Sequence, residues 1–239
     1  MTPQIVIENY QGAHNYNFLG SIERLGKNKA YRDLSTICIV PSRGVIPAKV
    51  TQCWMGMIPP MNQKFVRIFM IGMEVGEAYT SAIEQILSHP DLSKWKYVLT
   101  LEEDNLPPPD GILKLYENID DYAAVGGLYW TKGEGGQPMI YGDPKDSELN
   151  FRPQPPVLDI QECNGLGMGF TLFKLDVFKD PRIEKPWFKT CQDWDLHKGA
   201  KVYTQDLYFF EKIKKLGYKV ACDTRVRVGH YDVGMDIVW

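Results

Sequence analysis

The sequence predicts an α/β protein with a mainly parallel sheet flanked by helices in a single domain. Short apolar runs typical of strands alternate with segments of helical periodicity, and this alternation implies right-handed crossovers between parallel strands. The chain has 239 residues, 44% of them hydrophobic, which is enough for one sizeable core. We expect one domain over residues 35–239, preceded by an N-terminal extension over residues 1–34.

In the first half, strands are predicted at residues 4–8, 35–40, 65–71, 96–101 and 123–128, where apolar, β-branched and aromatic residues cluster. Helices are predicted at 47–57, where proline suits the first turn, at 75–88, where apolar residues recur at helical spacing, and at 112–119. Residues 132–156 form a Gly- and Pro-rich excursion. In the second half, strands are predicted at 171–173 and 218–222, and a helix is predicted from Thr204 to a stop at Gly217.

Composition excludes several classes of protein. The 27 basic and 30 acidic residues give a net charge of −3, so no global field attracts nucleic acid or anionic lipid. The five cysteines are widely spaced and form no C-x-x-C pattern, which disfavours a zinc site or disulfide framework and favours a reducing compartment. No charged-then-apolar leader opens the chain, and no apolar run approaches the ~18 to 20 residues that span a bilayer. We expect a soluble, cytoplasmic protein.

The central motif is Glu102-Glu103-Asp104, which ends the apolar run 96–101 and precedes a run of prolines. Open α/β sheets bind ligands at such strand ends. If the strand continued, alternation would put Glu102 and Asp104 on one side and Glu103 on the other. Converging carboxylates favour Mg²⁺ or Mn²⁺, which could bridge a diphosphate. A solvated turn, or an acid that caps the next helix, is the alternative interpretation.

Other candidates lie in the second half. The glycines from Gly165 to Gly169 superficially resemble a dinucleotide-binding loop, but they precede a strand instead of joining a strand to a helix, so we reject that interpretation. They could let a ligand approach the backbone, or simply allow a bend. Asp206 falls in the first turn of a helix, where the dipole favours a carboxylate whatever the function. His230 is a lone histidine, and such residues are more often structural.

The order of these motifs resembles GT-A glycosyltransferases, which have a Rossmann-like fold, and notably the small family-2-like enzymes of bacteria and their phages. The resemblance covers about residues 35–232. It rests on Pro41-Ser42-Arg43-Gly44 after a strand, Glu102-Glu103-Asp104 after another, the glycine-rich approach to a strand, Gln205-Asp206 at a helix start, and His230. Such an enzyme would transfer a sugar from a nucleotide sugar, most simply a UDP-sugar, to an acceptor hydroxyl, in the cytoplasm or, if phage-encoded, in the host cytoplasm.

The resemblance also implies roles for individual residues. Asp104 would bind Mn²⁺ or Mg²⁺ directly, Glu102 would assist through water or the donor ribose, and His230 would be a further ligand. Asp206 matches the catalytic base of inverting members, although Gln205 replaces the acid that usually precedes it. The remaining implied residues form a donor site at Pro41, Ser42, Arg43 and Glu103 and a sugar or acceptor pocket at Gly167, Gly169, Gln205 and Trp194. The family's uracil-contacting aspartate has no match at Ile71-Gly72-Met73.

The acceptor and two other functions stay open. A saccharide is the default acceptor, but aromatic and basic residues from Trp187 to Arg227 could instead serve a flipped, hydroxymethylated DNA base. A sugar-phosphate nucleotidyltransferase is an alternative, because Pro41-Ser42-Arg43-Gly44 with Lys49 faintly resembles its first loop. That loop lacks the leading glycines that would bind a triphosphate. A non-catalytic nucleotide-sugar or glycan-binding protein is the second alternative.

Overall fold

The computed structural model describes the backbone of residues 4–7, 32–195 and 199–239, and side chains from residue 32 onward except at 193–202. The strands are β1 (Gln4–Ile7), β2 (Thr36–Ser42), β3 (Phe65–Ile71), β4 (Tyr97–Leu101), β5 (Asn105–Leu106), β6 (Ala124–Leu128), β7 (Ile140–Tyr141), β8 (Ile160–Cys163), β9 (Gly165–Leu166), β10 (Phe170–Lys174), β11 (Cys191–Asp195), β12 (Gly199–Tyr203), β13 (Val220–Arg227), β14 (Gly229–Asp232) and β15 (Ile237–Val238). The helices are α1 (Ala48–Met55), α2 (Val75–Ser88), α3 (Gly111–Asn118) and α4 (Gln205–Lys215).

An eight-stranded sheet in the order β1-β3-β2-β4-β10-β6-β13-β8 forms the centre of the molecule. Strands β2, β3, β4, β6 and β13 run in one direction, and β1, β8 and β10 run against them. The predicted single-domain α/β architecture, a mainly parallel sheet flanked by helices, is therefore confirmed and is consistent with the GT-A, Rossmann-like fold. Residues 4–7 of the predicted extension add an edge strand to this sheet.

The antiparallel strand β10 is the main departure from the predicted topology. It lies between β4 and β6, with Thr171 opposite Thr100 on one side and Gly126 on the other. The chain enters β10 from the long 129–169 segment, which contains short strands but no helix. The right-handed crossover rule applies to parallel strands, so it did not constrain the direction of β10.

Element boundaries follow the sequence closely where the apolar pattern is strong. β3 and α2 begin and end at the predicted residues. β2 continues beyond its predicted end through Pro41 and Ser42, because its pairing with β3 continues to Ser42, opposite Ile71. Its pairing with β4 stops earlier, at Ile39. The hairpin of β11 with β12 and the small sheet β15-β14-β5 were not predicted.

Both faces of the sheet are covered. On β2, Ile37 and Ile39 pack with residues of α2 and α4, whereas Cys38 and Val40 pack with residues of α1 and α3. This alternation is the period of a strand buried on both sides. All five cysteines are free thiols. Among the described helices, none has the length and apolar character needed to cross a membrane.

An aromatic cluster fixes α4 against the sheet. The ring of Phe209 lies 4.6 Å from that of Phe188 and 5.1 Å from that of Phe178, measured between centroids, and it also contacts Phe173 at 5.8 Å. Phe209 is fully buried. Because Asp206 lies one turn before Phe209 on the same helix, this packing also sets the position of Asp206.

We predict that Phe209→Ala lowers the free energy of unfolding by about 3–5 kcal/mol, because it removes a large buried side chain and leaves a cavity. Tyr208→Ala, on the half-buried side of the same helix, should cost less than about 1 kcal/mol. Urea unfolding followed by circular dichroism measures both values. Equal costs for the two variants would contradict the anchoring role of Phe209.

Candidate active site

The acidic motif lies in a turn and not in an extended strand. β4 ends at Leu101, where the Glu102 N–H still donates to the Gly169 carbonyl of the neighbouring chain segment at 3.3 Å. The Asn105 N–H then donates to the Glu102 carbonyl at 3.0 Å, which closes the turn. The simple alternation predicted for a continuing strand does not apply. The three carboxylates nevertheless contact different partners.

Asp104 is paired with two basic groups. Its Oδ2 accepts a hydrogen bond from Lys132 Nζ at 2.5 Å and lies 3.5 Å from His230 Nε2. Burial works to raise the pKa of Asp104, but the hydrogen bonds of His230 and Lys132 outweigh it and lower that pKa to about 2. Asp104 is therefore ionised at neutral pH. Lys132 lies in the Gly-rich excursion, where the sequence indicated no site residue.

The ring of His230 is oriented by a backbone carbonyl. His230 is brought beside the acidic turn because β14 pairs with β5, with His230 opposite Asn105. Its Nδ1 lies 2.7 Å from the carbonyl oxygen of Trp130, and because a carbonyl only accepts, Nδ1 carries a hydrogen. Nε2 faces Asp104 Oδ2 at 3.5 Å. Metal-binding histidines usually have this arrangement, in which one ring nitrogen donates to a carbonyl and the other is directed at the metal.

Glu102 is the most perturbed carboxylate of the motif. Its Oε1 accepts a hydrogen bond from the Tyr79 hydroxyl at 3.3 Å. Burial, followed by the nearby negative charges of Asp104 and Asp206, raises the pKa of Glu102 to about 8, against smaller opposing effects of Tyr79 and Lys132. Tyr79 was missed by the sequence analysis, although its position on the apolar face of α2 predicts that the phenol points inward.

Glu103 binds the loop after β2. Its Oε2 accepts hydrogen bonds from the Ser42 hydroxyl at 2.8 Å and the Arg43 N–H at 2.9 Å, and its Oε1 forms a short ion pair with Arg43 Nε. The Glu103 side chain is mostly buried, whereas 82% of the Arg43 side chain is exposed. The ion pair raises the pKa of Arg43 still further. Glu103 thus acts as a clamp that fixes Ser42 and orients Arg43.

A cavity of about 440 Å³ brings most of the predicted residues together. Its lining consists of Pro41, Ser42, Arg43, Met73, Val75, Glu102, Glu103, Asp104 and Gln205. Met73 and Val75 add an apolar wall that the sequence analysis did not identify. Met73 belongs to the segment in which the uracil-contacting aspartate of the resembled family was sought, and it lines the cavity with an apolar side chain.

Asp206 lies next to the cavity at the start of α4, as predicted. It is buried, and its Oδ1 accepts a hydrogen bond from the Leu207 N–H at 2.8 Å. Burial raises the pKa of Asp206, against weaker opposing hydrogen bonds from Thr204 and Leu207. Gln205 belongs to the cavity lining and Asp206 does not. The electrostatic effect of Asp206 on Glu102 places the two carboxylates in one neighbourhood.

The glycines predicted for a sugar pocket have a packing reason of their own. A Cβ at Gly167 would lie 2.0 Å from the Tyr129 hydroxyl, and a Cβ at Gly169 would lie 2.5 Å from Asn105 Oδ1. Side chains of the protein therefore fill the space beside both glycines. Trp194 has its backbone in β11, but its side chain lies outside the described residues, so its predicted place in the pocket stays a prediction.

The donor set around Asp104 fits a hard divalent cation. Asp104 offers a carboxylate and His230 an oriented imidazole nitrogen, and Mn²⁺ accepts both kinds of ligand. Among the described residues no cluster of three or more His, Cys, Asp or Glu side chains is arranged to hold a metal. Two protein ligands suffice where substrate phosphates and water complete the coordination, as is usual for Mg²⁺.

The predicted acceptor surface is largely used for other contacts. Trp187 and Phe188 are buried in the core, so they are not available to stack on a base. Three of the basic side chains bind neighbours: Lys212 donates to the carbonyls of Glu184 and Pro186, Lys215 pairs with Glu211, and Arg225 pairs with Asp223 and Glu117. His197, Lys198 and the side chain of Lys201 lie outside the described residues.

Comparison with known proteins supports the fold. The sequence matches no protein-family model, and no curated protein matches it. The structure resembles the crystal structure of A197 from STIV, with a TM-score of 0.59 and 20% sequence identity over 83% of this chain and 86% of that chain. S. aureus TarS 1-349 in complex with UDP-GlcNAc gives a TM-score of 0.43 and 11% identity over 79% of this chain and 55% of that chain. The likeness to A197 shows a shared fold.

We predict that Glu102→Gln changes the pH dependence of stability. Because the folded protein holds the Glu102 proton up to about pH 8 while the unfolded chain releases it at lower pH, Glu102 contributes stability that is fully present below the unfolded pKa. That contribution is lost as pH rises toward and through 8. At pH 9 the variant should exceed wild type by about 1 kcal/mol or more, with a smaller advantage, or none, at pH 5.

Chemical denaturation of both proteins at the two pH values measures the effect. Glu148→Gln, in an exposed part of the excursion, is the matched control, and its difference from wild type should be the same at pH 5 and pH 9. A pH-independent difference for Glu102→Gln would show that the carboxyl is ionised throughout this range.

Proposed function

We propose that the protein is a cation-dependent glycosyltransferase that moves a sugar from a nucleotide sugar, in the first instance a UDP-sugar, to an acceptor hydroxyl. The observation that carries the proposal is the single cavity that joins Arg43, Asp104 and Gln205 at the ends of β2 and β4 and the start of α4. Gln205 lines this cavity next to the candidate base Asp206, which lies beside the cavity and not in its lining. The resemblance of the motif order to GT-A glycosyltransferases supports the same function.

The donor would bind along the β2 side of the cavity. Glu103 holds the Arg43 guanidinium through Nε while most of that side chain stays exposed, so the remaining N–H groups can donate to a phosphate or ribose oxygen. Pro41, Met73 and Val75 offer an apolar surface for a nucleobase. We assign uridine on the resemblance.

The chemistry follows from charge. A divalent cation held by Asp104 and His230 would stabilise the negative charge that develops on the leaving diphosphate. Asp206 would accept the proton of the attacking hydroxyl, and burial raises its pKa toward the range in which a carboxylate base works well. Attack from the side opposite the diphosphate gives inversion at the sugar carbon. A hexose is the simplest transferred group.

We take a saccharide as the acceptor. Stacking on a flipped nucleobase needs exposed aromatic faces, and the predicted pair Trp187 and Phe188 is buried. The nucleotidyltransferase alternative also loses support, because Lys49 Nζ pairs with Asp236 at 2.5 Å and covers the ring of Tyr231. Lys49 is not part of the cavity lining.

We predict that the protein releases nucleoside diphosphate from a nucleotide sugar in the presence of Mn²⁺ and a saccharide acceptor. Asp206→Asn should lower the transfer rate about 10² to 10⁴-fold, as expected for loss of a general base, while donor affinity measured by calorimetry stays within a few-fold of wild type. Asp176→Asn, which removes an exposed ion pair with Lys179, should transfer normally.

Other outcomes would change either the role assigned to Asp206 or the function assigned to the protein. Normal transfer by Asp206→Asn would mean that Asp206 only begins the helix. Release of pyrophosphate from a nucleoside triphosphate and a sugar phosphate would support a nucleotidyltransferase. Donor binding without turnover, under all acceptors tested, would identify a binding protein.

A second prediction concerns the cation. EDTA should abolish transfer, and Mn²⁺ should restore it at least as well as Mg²⁺, because an imidazole joins the carboxylate in the site. Asp104→Asn and His230→Gln should each weaken donor binding in the presence of Mn²⁺ without changing the circular dichroism spectrum. Full activity in EDTA would contradict the cation requirement while leaving sugar transfer itself intact.

A further inference from the structure

We propose that the ammonium group of Lys132 occupies the cation position of the acidic turn in the metal-free protein, and that a divalent cation must displace it from Asp104 to bind. Lys132 would then set the metal affinity of the site. The inference rests on the cation site of the proposed function. It adds a residue that neither the motif nor the resemblance indicates, since Lys132 lies in the Gly-rich excursion between β6 and β7.

The geometry around one oxygen atom carries the inference. Asp104 Oδ2 is 2.5 Å from Lys132 Nζ and 3.5 Å from His230 Nε2. Since His230 Nδ1 donates to the Trp130 carbonyl, the ring is held with Nε2 facing the same oxygen. Two potential ligands of a cation, the Asp104 carboxylate and the His230 ring nitrogen, therefore face each other. The ammonium group of Lys132 lies against the carboxylate at 2.5 Å.

The ion pair is too enclosed to be dismissed as a solvated surface contact. The side chains of Lys132, Asp104 and His230 are 31%, 20% and 15% exposed, so water screens them only in part. The charge of Lys132 also acts on Glu102, where it works to lower the pKa. The ammonium group of Lys132 therefore interacts favourably with both carboxylates that were predicted to hold the metal, Asp104 and Glu102.

A divalent ion and the ammonium compete for Asp104 Oδ2. At contact distance two positive charges repel strongly where screening is incomplete, and Lys132 Nζ already takes a position at 2.5 Å from the oxygen. Binding of the cation is thus an exchange of one positive group for another. The free energy needed to break the ion pair must lower the affinity for the cation.

The segment that carries Lys132 can allow this exchange without disturbing His230. Residues 130–138 form a short hairpin in which Trp130 bridges to Pro138 and the Thr131 N–H donates to the Gln137 carbonyl at 2.9 Å. Beyond Lys132, at the hairpin tip, a Cβ at Gly133 would meet no atom within 4 Å, so the tip has open space around it. The Trp130 carbonyl holds His230 at the base of the hairpin, while the long side chain of Lys132 can rotate away from Asp104.

The test is a titration of Mn²⁺ into the protein without nucleotide, followed by the electron paramagnetic resonance signal of free Mn²⁺. Lys132→Met keeps an unbranched side chain, one atom shorter, and removes its charge. We expect it to bind Mn²⁺ roughly tenfold more tightly than wild type, between the effects typical of exposed and of buried ion pairs. Lys145→Met, an exposed lysine of the same excursion, is the matched control for net charge and should bind like wild type. Asp104→Asn should lose the binding.

Each result decides the proposal. Equal or weaker Mn²⁺ binding by Lys132→Met than by wild type overturns the role of Lys132 and leaves the cation site in place. An equal gain in Lys145→Met overturns it as well, because the effect would then be one of net charge. Absence of Mn²⁺ binding in all variants overturns both the role of Lys132 and the cation site, whereas sugar transfer is tested separately by product formation in EDTA. Lys132→Gln repeats the comparison if Lys132→Met fails to fold by circular dichroism.

Discussion

Three carboxylates in one turn repel one another, and the structure around β4 compensates each of them separately. Glu103 is neutralised by Arg43 through a clamp that also fixes the loop after β2. Asp104 is ionised and paired with Lys132. Glu102 is desolvated and keeps its proton up to about pH 8. The turn therefore presents three different carboxyl groups. Glu103 is held by Arg43, Asp104 is paired with Lys132, and Glu102 keeps its proton.

The fold supplies these partners from separate elements because parallel strands end at a common edge. Arg43 follows β2, Asp104 follows β4, and Lys132 follows β6, while β14 brings His230 beside the turn by pairing with β5. The antiparallel strand β10 makes this convergence possible at close range: Gly169, just before β10, accepts the Glu102 N–H and so fixes where the turn begins. A continuous parallel strand at that place would not supply the same bond.

Sequence patterns sufficed wherever structure is set locally. β3 and α2 were predicted to the residue because their apolar periodicity is strong, and Arg43 and Asp104, which follow predicted strands, line one cavity. Contacts between distant segments left no such signal. The pair of Lys132 with Asp104 joins residues 28 apart through a loop, and the aromatic residue Trp187, expected at a surface, is in the core. Periodicity reports which residues are apolar, not which face another element will cover.

The electrostatic coupling between Glu102 and Asp206 bears on which carboxyl group can act as a base. The charge of Asp206 raises the pKa of Glu102, and coupling of this kind is mutual, so the ionised form of one disfavours that of the other. With its pKa at about 8, Glu102 retains its proton at neutral pH. Its negative charge is then absent from the neighbourhood of Asp206, which favours the ionised Asp206 that proton abstraction requires.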